Sequence, residues 1–358
     1  MEQGIERLDP NMAVRDPEGD TLWYDADDLL VEGLAWTDTE EPFDRLPARA
    51  KGRVRPEVWT LAKHSAGACV RFVTDAPRIS VRWALKNPSL SLPHMASTGA
   101  SGVDLYARTG GAWRWLAVGM PDGEHNAREV ARDLAVGDRE ILLYLPLYNG
   151  VSSVEIGIPG GSRVGPGPER PHGARRPLAV YGTSIVQGGC ASRPGMAYPA
   201  ILGRRFDMPV VNLGFSGNGR METEMAELIS EIDAAAFVLD CLPNLEGPQV
   251  AERTEPFVRI LRAARPRVPI VLVENIAYTN GQFVEPRRRR QESCDAALRA
   301  AYGRLLAAGD ADILLVPGAS LLGGDGEATV DGTHPTDLGF LRMANAMTPF
   351  LQRVLAEA

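Results

Sequence analysis

Residues 159–177 read PGGSRVGPGPERPHGARRP, and ten of those nineteen are glycine or proline. So many breakers, with no hydrophobic period, predict a linker or a long surface crossing rather than a helix or strand. Whatever folds must therefore fold on one side or the other. This divides the 358 residues into an N-terminal unit at 1–160, a linker at 161–177 and a C-terminal unit at 178–358. Both units are of ordinary domain size.

The two sides differ in rhythm. All six tryptophans lie in the first 115 residues, among short alternating or apolar runs at 68–74, 79–85, 103–108, 113–118, 140–145 and 153–158. Strands of that length at close spacing predict an antiparallel sandwich. Beyond the linker, apolar runs at 178–181, 209–213, 235–239, 268–273 and 313–316 alternate with helical patterns at 221–232, 250–264, 291–308 and 335–354. Five continuously apolar strands separated by helices predict a parallel sheet covered on both faces. Such sheets carry their working groups at the carboxyl ends of the strands.

Composition narrows the function. With 38 basic against 46 acidic residues, the formal charge of −8 excludes a generic nucleic-acid binder, which needs a basic face. No apolar run approaches the ~20 residues of a membrane span. The stretch MEQGIERLDPNMAVRDPEGD lacks the apolar core of a secretory signal. Cys69, Cys190, Cys241 and Cys294 are dispersed, without a CxxC pair, and read as reduced thiols of a cytoplasmic protein. His64, His94, His125 and His172 form no HExxH or paired spacing, so no metal is expected.

Four strand ends carry the polar residues that matter. The first C-terminal strand runs into LAVYGTSIVQGG, placing Ser184 just past a glycine turn. A serine there stands where a helix N-terminus favours developing negative charge. The plainer alternative is that Ser184 merely caps the helix. Val186 excludes the G-x-S-x-G elbow of α/β-hydrolases. In DGTHP, Asp331 precedes His334 by three residues and can hold its Nδ1–H, leaving Nε2 as a base. Pro335 suits the first position of the closing helix, and a helix cap is again the structural alternative. In VNLGFSGNGR, the Gly217 N–H can face an oxyanion. In FVLDCLPN, the Asn244 amide can supply another donor, worth ~10²–10³ in rate elsewhere. Turn formation is the ordinary use of each.

Taken together, GTSIVQGG, NLGFSGNG, DCLPN and DGTHP resemble blocks I, II, III and V of the SGNH (GDSL-type) hydrolases, in order, over residues 178 to about 355. Upstream, Gly102-Val103-Asp104-Leu105-Tyr106 resembles the GxDLY sandwich domain that precedes some SGNH domains, and LPLYNGVSSVEIG at 145–157 fits it. The resemblance implies an SGNH-type three-layer α/β/α domain with a parallel five-stranded sheet, preceded by an antiparallel β-sandwich. It implies Ser184 as nucleophile, His334 as base and Asp331 as orienting acid. The oxyanion hole would be the N–H groups of Ser184 and Gly217 with the Asn244 amide. Block I has Thr183 where the family has aspartate, and block III keeps only Asn244, with Asn218 in reserve.

The implied chemistry is acyl transfer through an acyl-serine, without a cofactor, from an acyl ester or thioester (acyl-CoA included) to water or a hydroxyl acceptor. Hydrolysis of a small acylated metabolite or glycoside is the leading expectation. Some relatives with this layout resemble acyltransferases that tailor aromatic polyketides, and a non-catalytic carbohydrate- or metabolite-binding protein is the remaining alternative. The run Arg287–Arg290 reads as a solvated helix start, or else as a phosphate clamp for acyl-CoA. Residues 275–290 are long enough for a lid. Trp113 and Trp115, two apart, face one way on a strand and read as packing or as a sugar platform. Cys190 and Cys241 read as filling small spaces.

Overall fold

The computed structural model describes residues 14–15, 19–171 and 174–356. The stretch read for a secretory signal falls mostly outside them, as do His172 and Gly173. The N-terminal strands are β1 (Val14–Arg15), β2 (Thr21–Asp25), β3 (Leu30–Glu32), β4 (Cys69–Thr74), β5 (Ile79–Leu85) and β6 (Val103–Thr109). They continue with β7 (Ala112–Gly119), β8 (His125–Ala131), β9 (Arg139–Tyr144), β10 (Val151–Pro159) and β11 (Val164–Pro166). Two sheets result, ordered β1-β2-β10-β5-β8 and β11-β4-β9-β6-β7, with β3 also on β4; every pairing is antiparallel. Along β5, Ile79, Val81, Trp83 and Leu85 are buried and the residues between them are not, the period of a strand with one covered face. They meet Val70, Phe72, Leu105, Ile141 and Ile156 in one core.

The Gly/Pro-rich segment departs from expectation by contributing β11, paired to β4 at Val164↔Thr74 and Pro166↔Phe72. Proline is tolerated there because β11 lies at the sheet edge. Further on, Arg170 forms a bidentate pair with Glu32 (2.9 and 2.8 Å) and reaches Asp207 of the C-terminal half at 3.1 Å.

That half contains β12 (Leu178–Gly182), β13 (Val210–Gly214), β14 (Ala236–Asp240), β15 (Ile270–Val273) and β16 (Ile313–Val316). They form a parallel sheet ordered β13-β12-β14-β15-β16. Every residue of β12 and β14 is buried, as helices on both faces require. On β14, Phe237 and Leu239 join one core while Ala236 and Val238 join the other. Among the described residues the helices are α1 (Pro56–Ala62), α2 (Ser97–Ala100), α3 (Ser184–Gln187), α4 (Tyr198–Phe206), α5 (Thr223–Ser230), α6 (Gly247–Ala264), α7 (Glu285–Ala307) and α8 (Asp337–Ala356).

The halves interpenetrate. Trp36, Leu46, Val54 and Val58 come from the N-terminal half yet pack into the core beneath Phe237 and Leu239. Arg45, 2% exposed, donates to the carbonyls of Asn212 and Gly214 at 3.1 and 2.7 Å. Those carbonyls belong to β13, an edge strand, so this segment covers the open edge. Chain order reverses around β12, which lies between β13 and β14; the carboxyl end of such a strand is where a doubly wound sheet leaves a crevice.

Candidate active site

Ser184 follows β12 at that end. Gly182 is required there, since a Cβ would stand 2.2 Å from the Asp240 carbonyl oxygen. Thr183 is the N-cap of α3, its hydroxyl accepting from the Ile185 N–H at 3.2 Å. The capping role weighed for Ser184 thus falls to its neighbour. Ser184 is the first residue of the helix, a position whose N–H has no acceptor within the helix. The short helix closes at Gly188 (φ +107°), and the N–H groups of Gly188 and Gly189 donate to the Ser184 carbonyl at 3.0 and 2.7 Å. The Tyr148 hydroxyl, from the sandwich half, donates to the same carbonyl at 3.3 Å.

His334 arrives on a turn built by Asp331. One carboxylate oxygen accepts from the N–H groups of Thr333 (2.9 Å) and His334 (2.8 Å); the other meets His334 Nδ1 at 2.7 Å. Gly332 sits between them at φ +88°, where a side chain would be strained. His334 Nε2 lies 2.8 Å from Ser184 Oγ. Ser184, His334 and Asp331 therefore stand in one hydrogen-bonded series. Pro335 is not the first residue of the closing helix. It bridges to Thr329, while α8 begins at Asp337 and the Thr336 hydroxyl accepts from the Gly339 N–H at 3.3 Å. A threonine hydroxyl can cap orphan N–H groups, which a proline ring cannot.

The loop after β13 supplies Gly217, exposed and at φ +70°. It is fixed from beneath by Gln187, whose side-chain oxygen accepts from the Ser216 N–H at 3.1 Å. The Gln187 amide nitrogen lies 2.9 Å from the Leu147 carbonyl and 3.0 Å from His64 Nδ1. Burial, with Arg45 and Lys86 nearby, pulls that imidazole down to about 3, so it is neutral and able to accept. Asn244 Oδ1 accepts from the Gly219 N–H at 3.2 Å, which spends the amide oxygen and fixes the side chain. Among the described residues Asn244 Nδ2 has no acceptor. The reserve candidate Asn218 is committed at both ends, to Arg55 at 2.6 Å and to the Ser216 carbonyl at 2.8 Å.

A family model for GDSL-like lipases/acylhydrolases matches residues 175–352, and one for the GxDLY N-terminus of SGNH hydrolase-type esterases matches residues 21–164. A protein of Bacteroides ovatus ATCC 8483 described as a GDSL-like lipase is 35% identical, with a TM-score of 0.89 over 94% of this chain and 98% of that one. This chain belongs to the GDSL-like lipase/acylhydrolase family. The fold is shared more distantly with a salicylyl-acyltransferase from a tetracycline biosynthetic pathway (TM-score 0.70, 16% identity, 96% and 97% covered). It is also shared with a family two carbohydrate esterase from Clostridium thermocellum (TM-score 0.57, 14% identity, 81% and 93% covered). No curated protein sequence matches.

In this acylhydrolase the acid of the series is ionised. Burial alone would raise the Asp331 carboxyl, but the His334 and Thr333 N–H groups and the imidazole outweigh it and hold it at about 2. The arginine run is divided between two tasks. It lies in the first turns of α7, where Arg288 and Arg289 face solvent and pair with Glu285 and Glu292. Arg287 Nη1 instead reaches Asn280 Oδ1, the Asp331 carbonyl and the Thr333 hydroxyl at 3.2–3.4 Å. Arg290 donates to the carbonyls of Pro243 and Leu245 and to the Tyr278 hydroxyl at 2.8–2.9 Å. Two of the four guanidiniums thus brace the turns that carry Asp331 and Asn244. The same contacts hold the segment read as a lid against the body.

The indole N–H groups of Trp113 and Trp115 are spent on Asp207 (3.2 Å) and Asp104 (3.0 Å), which favours packing over a sugar platform. Tyr148 and Gln187 escaped sequence reasoning, as did the bracing role of Arg287 and Arg290, because each acts through a contact remote in the chain.

Proposed function

We propose that this chain is a serine-dependent acyl-ester hydrolase that acts on a small acylated metabolite or glycoside. The observation that carries the reading is the series Ser184 Oγ–His334 Nε2 at 2.8 Å and His334 Nδ1–Asp331 at 2.7 Å. In the first step His334 Nε2 takes the hydroxyl proton as Ser184 Oγ bonds to the acyl carbon. The charge that gathers on the carbonyl oxygen is received by the N–H groups of Ser184 and Gly217 and by Asn244 Nδ2. His334 returns the proton to the leaving alcohol, leaving an acyl-serine. Water, deprotonated by the same imidazole, then releases the acid.

Transfer to an alcohol would use the same groups, and the fold is common to an esterase and an acyltransferase. A phosphate clamp for acyl-CoA is disfavoured, because Arg287 and Arg290 are already engaged by protein acceptors. The test is turnover of 4-nitrophenyl acetate, butyrate and octanoate, with and without alcohol acceptors, by the wild type and by Ser184→Ala. Hydrolysis lost in the variant and indifferent to acceptors supports the proposal. Product partitioning to the alcohol would make the enzyme a transferase. Turnover surviving in Ser184→Ala would overturn the assignment.

A further inference from the structure

His94, Cys190 and His334 come from three remote stretches of chain: a turn of the sandwich, the loop after α3 and the turn that carries Asp331. In the fold their ligating atoms all lie within 4.8 Å of one another. The two imidazole rings meet edge to face, with centroids 5.5 Å apart. Each member is held from its own side. The His94 turn is closed by reciprocal N–H···O bonds between Leu92 and Met95 at 3.1 and 3.0 Å, and Met95 is buried. Cys190 follows Gly189, whose N–H is bonded to the Ser184 carbonyl, and it takes the left-handed conformation at φ +74°. His334 is fixed by Asp331.

Two imidazoles and one thiol are a borderline-soft donor set, the kind that selects Zn²⁺ over Mg²⁺ or Ca²⁺. Zn–N and Zn–S bonds of about 2.1 and 2.3 Å put tetrahedral ligands roughly 3.5 Å apart. Small side-chain rotations close the remaining gap, and His94, which is exposed, has room to make them. His334 must offer Nε2, since Nδ1 is bonded to Asp331. A carboxylate on the far nitrogen is also the usual support of a metal-bound histidine. The spacing of these residues in sequence gives no hint of the site.

We propose that a thiophilic divalent cation, Zn²⁺ being the best fit, binds His94, Cys190 and His334 Nε2 and reversibly silences the enzyme. Cys190 loses its thiol proton to solvent as the sulfur–metal bond forms. Both histidines donate a nitrogen lone pair, and the fourth position is left to water or to Ser184 Oγ. The lone pair taken from Nε2 is the one that would accept the serine proton, so catalysis stops until a chelator removes the ion. Binding stands independently of the proposed hydrolysis; the silencing rests on it.

Co²⁺ serves as the probe, added to the purified full chain. The wild type is expected to give a thiolate-to-cobalt charge-transfer band that saturates at one equivalent and disappears on Zn²⁺ addition. The band should be absent in Cys190→Ser and Cys190→Ala, and weakened in His94→Ala, with folding checked by circular dichroism. In parallel, Zn²⁺ should inhibit wild-type ester hydrolysis, EDTA should restore it, and Cys190→Ser and His94→Ala should need about tenfold to a hundredfold more Zn²⁺. No thiolate band in the wild type overturns the site, whatever the activity. A band accompanied by equal Zn²⁺ inhibition of wild type and variants overturns the silencing. A protein without esterase activity that still shows the band would refute the proposed function and leave the site standing.

Discussion

Asp104 in the sandwich and Arg193 in the loop after α3 are joined across the two halves at 2.8 Å, with the carboxylate wholly buried. The same carboxylate accepts from the Gly195 N–H at 2.8 Å and from the Trp115 indole at 3.0 Å. Asp104 is the acidic residue of the GxDLY segment, so that segment acts here as a dock for the loop that leaves Ser184. Asp104→Ala is expected to lower stability by about 2–4 kcal/mol, since it strands three donors in a buried joint. Urea unfolding measures this directly. A midpoint equal to that of the wild type would show that the joint contributes nothing.

Asp331 accepts three hydrogen bonds that together shape the His334 turn. Asp331→Asn keeps its size but puts an amide where an acceptor is needed, so kcat should fall roughly 10³–10⁴-fold with little change in KM. The carboxyl sits at about 2, below its value in an unfolded chain. Its contribution to folding is therefore complete above about pH 4 and is lost as pH falls through 2. The pH–activity profile of the wild type should accordingly show no acid limb from Asp331 between pH 4 and 8.

Arg287 touches the Asp331 carbonyl and the Thr333 hydroxyl of the turn that carries His334. Arg287→Ala is expected to cut kcat by about tenfold and to leave KM near its wild-type value, the pattern of a loosened catalytic group. Neutralising Arg288 and Arg289 together should leave both constants unchanged on any ester. A rise in KM for a CoA thioester in that double variant would restore the phosphate-clamp reading.

The sequence made legible what local pattern determines. Strand β5 occupies the expected 79–85 because its alternation alone selects one buried face. Ser184 could be singled out because it directly follows a strand, and Asp331 and His334 because they share one short motif, which lies not at a strand end, as expected, but in the long connection from β16 to α8. Helix α1 was missed: seven residues are too few to show a period, and its buried Val58 packs on the other half of the chain. Helix α7 begins at Glu285 rather than at 291, since the solvated arginines of its first turns carry no apolar stripe. The approach of His94 to His334 and of Tyr148 to Ser184 depends on the docking of sandwich against sheet. No window of sequence contains that docking.

Asp240 ends β14 next to Gly182, wholly buried, with one oxygen accepting from the Tyr198 hydroxyl at 2.9 Å and the other without a partner among the described residues. Burial raises its carboxyl to about 7, and the Tyr198 bond offsets only part of that. The sign follows from linkage. Between about pH 4 and 7 the folded chain holds a proton that the unfolded chain has released, so stability falls as pH rises across that interval. Asp240→Asn replaces the protonated acid by a neutral group of the same shape and removes this dependence. The variant should exceed the wild type modestly near pH 5 and by more near pH 8, the gap widening by up to a few kcal/mol at about 1.4 kcal/mol per pK unit. Melting temperatures of the two proteins at both pH values decide it. A difference that stays constant from pH 5 to 8 would mean that Asp240 ionises normally in the fold.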